Sequence, residues 1–472
     1  MPQSGRRSRS TSLTGPARPR QTAEFAALIL AQGYQNGNLD SISQDSKALF
    51  PLANKPMLYY SIKQLESVGF ARNEIYVAIS GDDLKEYEAD ERVVPIESRL
   101  PDSNFIRVRQ VESSLDTLRK AVREIDTRDG LPESLLVVYV DVVCCKVLTK
   151  VAEISRVYDP ALVSVYGPRS TGINVKDLPG AECTHSMDKI TKLIFFNGKD
   201  ADETVRKVFL TIDTENYDDE SIRLSRRVLT KGEGHVETSS DLDDQGIFLF
   251  RKDMIQWIIH SPDDKHWQSI RDDLIPVLIK CQYKPYSDDF PFLETPEFLA
   301  VIDESGTTRL DSVEHLIYAN RKIIAQELLQ QWVVNSRPDL KNCDVDESTI
   351  FGDNVTRFND AETERIVKDD ASDTLSNDAL EGCTKLLIRK SVIGPRCRLE
   401  YQATDDKKKT TTISNCYLMG DARISTGCKL NNCIVGSGVT IGEQCTLANC
   451  IIGPGVVVEK GKNLRNQTLE IE

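Results

Sequence analysis

The feature that most constrains the fold of this 472-residue chain is a repeat near its C-terminal end. Asn-Cys dipeptides recur there at a constant spacing of 17 residues, at 415–416, 432–433 and 449–450. Around them, CIVGSGVTIG (433–442) aligns with CIIGPGVVVE (450–459), and fainter copies occupy 391–399 and 348–355. A fixed period with an aliphatic-glycine spacing near six residues is typical of hexapeptide coils with three short strands each. The sequence therefore predicts a left-handed parallel β-helix over residues 341–465.

Two polar stretches interrupt the repeat, and the cysteines follow it. Residues 357–385 are acidic and unpatterned, and residues 401–412 are polar, so both are predicted to be loops inserted between coils. Seven of the 12 cysteines follow residue 380, and five keep the 17-residue register: Cys416, Cys428, Cys433, Cys445 and Cys450. Pairs with an x4 spacing are one way to bind zinc. We favour stacks of buried thiols between coils, because a metal site has no reason to repeat with every coil.

The larger, earlier part of the chain, residues 23–311, alternates short apolar runs with helical patterns. Apolar runs predict buried strands at 26–31, 75–80, 135–143 and 161–167. Helical spacing covers 56–70 and 114–125. Alternating strands and helices indicate an α/β domain with a parallel, Rossmann-like sheet covered on both faces. Ligands bind beyond the carboxyl ends of such strands, which points to the loops after Ala31 and Val140.

The linker, the N-terminal segment and the composition indicate where the protein is located and which kinds of partner it lacks. Residues 312–340 are predicted to link the two domains, mostly as a helix over 312–334. Residues 1–22 contain five arginines, no acidic residue and no regular apolar spacing, which favours a disordered tail over a transit peptide. No secretory signal and no apolar run of about 18 residues is present, so we expect a cytosolic protein without a membrane partner. The net charge of −14 argues against direct nucleic-acid binding.

The loop after the first strand resembles a known signature. The segment LILAQGYQNGNLDSISQDSKALFPLANKPMLYY (28–60) is similar to the start of the sugar-nucleotide pyrophosphorylase (nucleotidyltransferase) family. In that signature, glycines let backbone N–H groups approach the nucleotide phosphates. An Arg and a Lys then stabilise charge on the reacting phosphate. An Asp after a later strand holds the metal that bridges the phosphates.

The resemblance implies a vestigial nucleotide pocket formed by Leu30, Ala31, Gln32, Gly33, Lys47 and Asp141. Its chemistry is incomplete, because Gln32 replaces the first glycine and residues 34–37 replace the stretch with the reactive Arg. Ser113-Ser114-Leu115 stands where the family has a base-binding Gly-Thr-Ala. Losing one such charged donor costs on the order of 10²–10³ in rate, so we expect no catalytic residue and little transferase activity. Lys47 and Asp141 are either structural remnants or ligands of a bound GTP or ATP; no other cofactor and no metal is predicted.

Two further stretches, 54–70 and 269–283, resemble the gamma-subunit family of translation initiation factor 2B (eIF2B), and the resemblance covers about residues 23–465. It implies a non-catalytic subunit of the guanine nucleotide exchange factor for eIF2, which pairs with the epsilon subunit and raises its exchange activity. The other implied partners are the eIF2B alpha, beta and delta subunits and eIF2, including its phosphorylated form. The epsilon subunit adds a helical catalytic domain after its β-helix. The sequence stops at Glu472, directly after the last coil, so we expect that domain to be absent.

Two other functions remain open at this point. An active or catalytically silent subunit of a sugar-nucleotide pyrophosphorylase would have the same two domains. A hexapeptide acyltransferase generally uses a histidine of the solenoid as its base. All five histidines precede the predicted β-helix, which argues against the acyltransferase.

Overall fold

The computed structural model contains a mixed α/β sheet followed by a β-helix. It describes residues 23–31, 39, 41–43, 45–80, 104–108, 113–143, 146–169, 171, 173, 178–180, 192–197, 204–213, 226, 236–260, 267–282, 296–303, 306–325, 332–333, 335–336, 338, 343–358, 386–400 and 410–470. The predicted tail over 1–22 and most of the predicted loop over 357–385 lie outside these residues.

The first part contains fourteen described strands. In chain order they are β1 (Phe25–Ala31), β2 (Pro51–Leu52), β3 (Lys55–Pro56), β4 (Ile75–Ser80), β5 (Phe105–Val108), β6 (Ser134–Tyr139), β7 (Val142–Val143), β8 (Leu162–Pro168), β9 (Lys192–Asn197), β10 (Val205–Asp213), β11 (Val236–Ser239), β12 (Leu242–Arg251), β13 (Phe298–Ile302) and β14 (Thr308–Arg309). The predicted strand over 135–143 is wrong in one respect. It is broken at Val140 and Asp141, where the chain turns away from the main sheet to pair β7 with β14.

Six described α-helices cover this sheet. They are α1 (Met57–Val68), α2 (Ser114–Arg128), α3 (Val147–Tyr158), α4 (Lys252–His260), α5 (Ile275–Cys281) and α6 (Val313–Ile324). A 3-10 turn (Arg72–Glu74) precedes β4, and a π-helical turn (Ile270–Leu274) precedes α5. Helix α1 ends at Gly69, whose φ of +109° is readily reached only without a side chain. The long helix predicted over 312–334 is wrong, because α6 ends at Ile324.

Ten strands form one sheet in the order β11-β9-β10-β13-β8-β12-β6-β1-β4-β5. The strands β5, β4, β1 and β6 are parallel, as predicted, and so are β8 and β13. The sheet is mixed rather than parallel throughout, because β12 runs antiparallel to both of its neighbours and β9 pairs antiparallel with β10 and β11. Strands joined without a crossover helix are free to pair in this way.

Both faces of the sheet are buried, as a Rossmann-like α/β arrangement requires. Alternate residues of β1 enter two separate cores: Ala27, Ile29 and Ala31 on one face, and Ala26, Leu28 and Leu30 on the other. The first core also contains apolar residues of α1, α3 and α6, and the second contains those of α2, α4 and α5. This two-sided burial explains why β1 is a continuous apolar run rather than an alternating one.

The second part is a β-helix of three parallel sheets. Its strands are β15 (Cys343–Val345), β16 (Ile350–Phe351), β17 (Thr356–Phe358), β18 (Leu386–Arg389), β19 (Val392–Ile393), β20 (Arg398–Glu400), β21 (Thr411–Ser414), β22 (Tyr417–Leu418), β23 (Arg423–Ile424), β24 (Lys429–Asn431), β25 (Ile434–Val435), β26 (Thr440–Ile441), β27 (Thr446–Ala448), β28 (Ile451–Ile452), β29 (Val457–Val458), β30 (Asn463–Arg465) and β31 (Thr468–Leu469). Each strand pairs in parallel with the strand three positions later in the chain, so that β15 pairs with β18, β16 with β19 and β17 with β20. Both inserted loops are shorter than predicted, since 357–358 belong to β17 and 411–412 to β21.

The Asn-Cys repeat has a local structural cause. The asparagines at this position occupy a left-handed corner of each coil, with φ of 52° at Asn415 and Asn432 and 54° at Asn449. Asn tolerates this conformation better than most residues with a side chain. Each following cysteine is fully buried, which confirms the stacked thiols: Cys416, Cys433 and Cys450 form one column, and Cys428 and Cys445 another.

One sheet of the β-helix packs against the first part of the molecule. Its outward side chains are buried and belong to the same core as α1 and α6: Ile350, Val392, Tyr417, Ile434 and Ile451. Asn54 also donates a hydrogen bond to the backbone oxygen of Ile393, at 3.0 Å. The two parts are therefore joined by a continuous apolar interface.

Candidate functional site

The candidate site lies where β1 and β6 end side by side. Leu30 and Ala31 are buried at the end of β1, and the Val140 N–H donates to the Leu30 oxygen at 3.2 Å. Asp141 follows immediately, in the turn before β7. The carboxyl ends of these parallel strands thus meet as the sequence predicts. Gln32, Gly33 and residues 34–37 lie outside the described residues, so their predicted roles stay predictions.

A buried cluster of three charges forms around Asp141. Its Oδ2 accepts a hydrogen bond from Lys47 Nζ at 3.4 Å and another from Arg309 Nε at 3.1 Å. The side chains of Lys47, Asp141 and Arg309 are 12%, 3% and 14% exposed. The structure therefore brings together two of the predicted site residues and adds a third, Arg309, that the sequence analysis missed.

Arg309 reaches the cluster through a long-range strand pairing. Strand β14 pairs antiparallel with β7, which places Arg309 opposite Val142. Its guanidinium lies 5.2 Å from the centre of the Tyr139 ring, and the neighbouring Leu310 N–H donates to the Asp141 backbone oxygen at 2.8 Å. Arg309 and Asp141 are 168 residues apart, so no spacing rule in the sequence points to their contact.

Burial raises the pKa of the Asp141 carboxyl. The positive charge of Lys47 opposes this rise, and the negative charge of Asp311 adds to it. Desolvation favours the neutral form of any carboxyl, so the ionised form of Asp141 depends on its two cationic partners. Only Oδ2 is paired in this way, since Oδ1 is buried and has no hydrogen-bond partner within the described residues.

A divalent metal, which the nucleotidyltransferase resemblance implies at Asp141, does not fit these surroundings. Lys47 and Arg309 already bind Oδ2, and although the buried Oδ1 has no hydrogen-bond partner within the described residues, the two positive charges beside it would repel a further cation.

The loop that replaces the base-binding Gly-Thr-Ala is also used internally. The Ser113 hydroxyl caps α2 by accepting the Asp116 N–H at 3.1 Å. The Leu115 N–H donates to the Gln268 oxygen at 3.1 Å, and the Ser114 hydroxyl accepts the Ile270 N–H at 3.2 Å. These polar groups therefore hold the segment before α5 in place.

A second charged pair, Asp311 and His315, lies at the start of α6. His315 Nδ1 is 2.7 Å from Asp311 Oδ1, and Ser312 caps the helix by accepting the His315 N–H. Burial opposes the positive charge of His315, but the hydrogen bond and charge of Asp311 outweigh it and raise the pKa of His315. Burial likewise opposes the charge of Asp311, yet His315 lowers the pKa of Asp311.

Parts of this chain are similar to known proteins. Residues 407–467 match the family described as GlmU-like, C-terminal hexapeptide. The chain is 28% identical over 287 residues to translation initiation factor eIF2B subunit gamma of Schizosaccharomyces pombe, covering 55% of this chain and 52% of that one. It is 20% identical over 264 residues to the Dictyostelium discoideum subunit of the same name, covering 55% and 58%.

The chain thus spans about half the length of the curated relatives it matches. None of the described helices is both long and apolar enough to span a membrane. The resemblance predicted from the motifs is confirmed as a distant similarity over 55% of the chain: it is similar to the gamma subunits of translation initiation factor eIF2B from two organisms, and residues 407–467 match the GlmU-like hexapeptide family.

Proposed function

We propose that this chain is a non-catalytic, regulatory subunit of the cytosolic eIF2B guanine nucleotide exchange factor, which exchanges GDP for GTP on eIF2. In this role it pairs with the epsilon subunit and raises the exchange activity of that subunit. It assembles with the alpha, beta and delta subunits into the complex that senses phosphorylated eIF2. The similarity to two eIF2B gamma subunits supports this identity.

The observation that carries the non-catalytic half of the proposal is the internal use of Asp141. A nucleotidyltransferase needs a carboxylate that holds a metal and a lysine that contacts phosphate. Here Lys47 Nζ is bound to Asp141 Oδ2, and Arg309 binds the same oxygen. The groups that remain from the signature stabilise the fold, and we propose that neither GTP nor ATP is retained at them.

The other half of the proposal, that the chain acts by assembling with partners, is supported by the packing of its two parts. Five outward side chains of the β-helix are buried in the core of the α/β part, so the two parts share a continuous apolar interface. Two parts packed in this way present a defined surface to a partner without chemistry of their own.

The experiment is reconstitution with an eIF2B epsilon subunit. Release of fluorescent GDP from eIF2 is measured with epsilon alone, with this chain alone, and with both. We expect no release by this chain alone and a clearly faster release by the pair than by epsilon alone. Failure to co-purify with epsilon, or an unchanged rate at saturating chain, would overturn the proposal.

The same preparation tests the rival pyrophosphorylase. Pyrophosphate release is followed with each nucleoside triphosphate and a sugar 1-phosphate, in the presence of Mg²⁺. We expect none from this chain. Turnover that is lost in Asp141→Asn would favour an active transferase, and stimulation of an intact pyrophosphorylase would favour a silent subunit of that enzyme.

A further inference from the structure

A row of basic side chains runs along a second sheet of the β-helix, which is not the sheet that packs against the α/β part. Strands β17, β20, β23, β26 and β29 form this sheet. Leu399, Ile424 and Ile441 point into the core, so their preceding neighbours point outwards. These neighbours are Arg398, Arg423 and Thr440, and the parallel register places them directly beside one another.

Two like charges therefore stand in register on adjacent strands, about 4.8 Å apart. Like charges in this position destabilise a sheet unless an anion compensates them. Arg398 and Arg423 are both exposed, and neither has an ion pair with a carboxylate in the described part of the chain. The charge of Arg398 still acts on its surroundings, since it helps Arg396 lower the pKa of Asp421.

A polar corner forms the second wall beside this row. Arg396 binds Asp421 with two hydrogen bonds, of 2.8 Å from Nε and 2.6 Å from a terminal nitrogen. The backbones of Asn354, Arg396 and Asp421 are all left-handed, with φ between 57° and 61°, so the corner repeats from coil to coil. Together the row and the corner line an open cleft of about 550 Å³.

We propose that this cleft, lined by Asn354, Arg396, Arg398, Asp421, Arg423 and Thr440, binds an acidic peptide segment of a partner protein. The carboxylates of the peptide accept hydrogen bonds from Arg398 and Arg423, while Thr440 and Asn354 bind polar groups of the peptide beside those carboxylates. Arginine is well suited to this role, because its planar guanidinium binds carboxylates in a two-point geometry.

The chemistry of the cleft favours a peptide over other anions. Its walls contain no aromatic or large apolar side chain, so they offer nothing to hold a nucleobase. Three arginines on a chain with a net charge of −14 do not form the extended basic surface that nucleic acids require. The cleft is open and runs across the strands from coil to coil, which suits an extended chain.

The test uses fluorescein-labelled hexaglutamate as the probe and hexaglutamine as its neutral counterpart, with binding followed by fluorescence anisotropy. We expect the intact chain to bind hexaglutamate alone, more weakly as salt is raised. The double variant Arg398→Ala/Arg423→Ala should weaken binding by about tenfold or more, because two charge-assisted hydrogen bonds are lost. The matched control is Arg389→Ala, an exposed arginine on another sheet that pairs with Asp344; it should bind as the intact chain does.

Both arginines are exposed and their like charges repel each other, so the double variant should unfold at the same midpoint temperature as the intact chain or slightly above it, which verifies its fold. Equal binding by the double variant and the intact chain would overturn the proposal. Displacement of the probe by ATP or inorganic phosphate at lower concentration than by free hexaglutamate would also overturn it, in favour of a small-anion site. A negative result leaves the stimulation of epsilon untouched, because that is measured separately by GDP release.

Discussion

Replacing Asp141 by Asn removes the negative charge that Lys47 and Arg309 share, while the side chain keeps its size. Two cations then remain largely buried, 12% and 14% exposed, without a counter-charge. We expect Asp141→Asn to lower the free energy of unfolding substantially, although no residue of the apolar core is changed.

The size of this effect follows from the two distances. At 3.4 and 3.1 Å, and an effective dielectric constant of about 20, each attraction is worth about 5 kcal/mol. Much of this offsets the cost of removing the charges from water. Removing one member of a buried pair typically costs about 3–5 kcal/mol. We expect about 1–3 kcal/mol here, because the raised pKa of Asp141 means that desolvation of its charge offsets much of the attraction, and because Lys47 and Arg309 retain some contact with solvent.

Urea unfolding of the intact chain and of Asp141→Asn measures this difference. The matched control is Glu443→Gln, which removes an exposed carboxylate paired with Lys460 and should cost less than about 1 kcal/mol. The double variant Asp141→Asn/Lys47→Met should lose less than the sum of its single variants, because they share one interaction. The reasoning is refuted if Asp141→Asn is as stable as the intact chain. It is equally refuted if millimolar Mg²⁺ raises the unfolding midpoint of the intact chain but not of Asp141→Asn, since the carboxylate would then bind metal.

Three further outcomes follow from the contacts. Ile434→Asp places a charge in the interface between the two parts and should cost about 3 kcal/mol or more in urea unfolding. His315→Gln should remove a stabilisation that is fully present between pH 3.8 and 6.5, the ordinary pKa values of Asp311 and His315. This stabilisation is lost as the pH rises through the raised pKa of His315, or falls through the lowered pKa of Asp311. Burial raises the pKa of the Cys428 thiol to about 12, so iodoacetamide at pH 8 should leave Cys428 and Cys433 unmodified in the native chain, as mass spectrometry would show.

Each of these has a control or a contrary result. Thr446→Asp, on an outward position of another β-helix sheet, should change stability by no more than about 0.5 kcal/mol. An unfolding midpoint whose pH dependence is the same in His315→Gln and the intact chain would contradict the assigned pair. Rapid labelling of Cys433 before unfolding would show that the thiol column is open to solvent.

Much of the β-helix is predictable because its determinants are local. The 17-residue spacing marks where Asn415, Asn432 and Asn449 turn the chain and where the next cysteine enters the core. The burial of the outward residues that pack against the α/β part, such as Ile434 and Ile451, also has a local signal in the sequence. Pairs such as Ile434–Val435 and Ile451–Ile452 are apolar at both positions, whereas a strand with one face in solvent would alternate. Two adjacent apolar residues in coil after coil indicate a covered sheet.

The α/β part is predictable only in part, because only some of its determinants are local. The run at 26–31 and the helix after Pro56 are properties of their own segments, and both are present. The antiparallel insertion of β12 between β6 and β8 joins strands that are far apart in the chain, and no local pattern encodes it. Likewise, α6 ends at Ile324 although the helical spacing continues beyond it.

The sequence by itself determined the repeat and the corners of the coils, because each depends on residues close together in the chain. Only the tertiary structure decided what surrounds Lys47 and Asp141. The resemblance implies a metal ligand at Asp141, but the fold places Lys47 and Arg309 against it. It likewise aligns Arg398 with Arg423, which lie outside the 17-residue period. Electrostatic energy depends on distance in space and on burial, and neither can be deduced from separation along the chain.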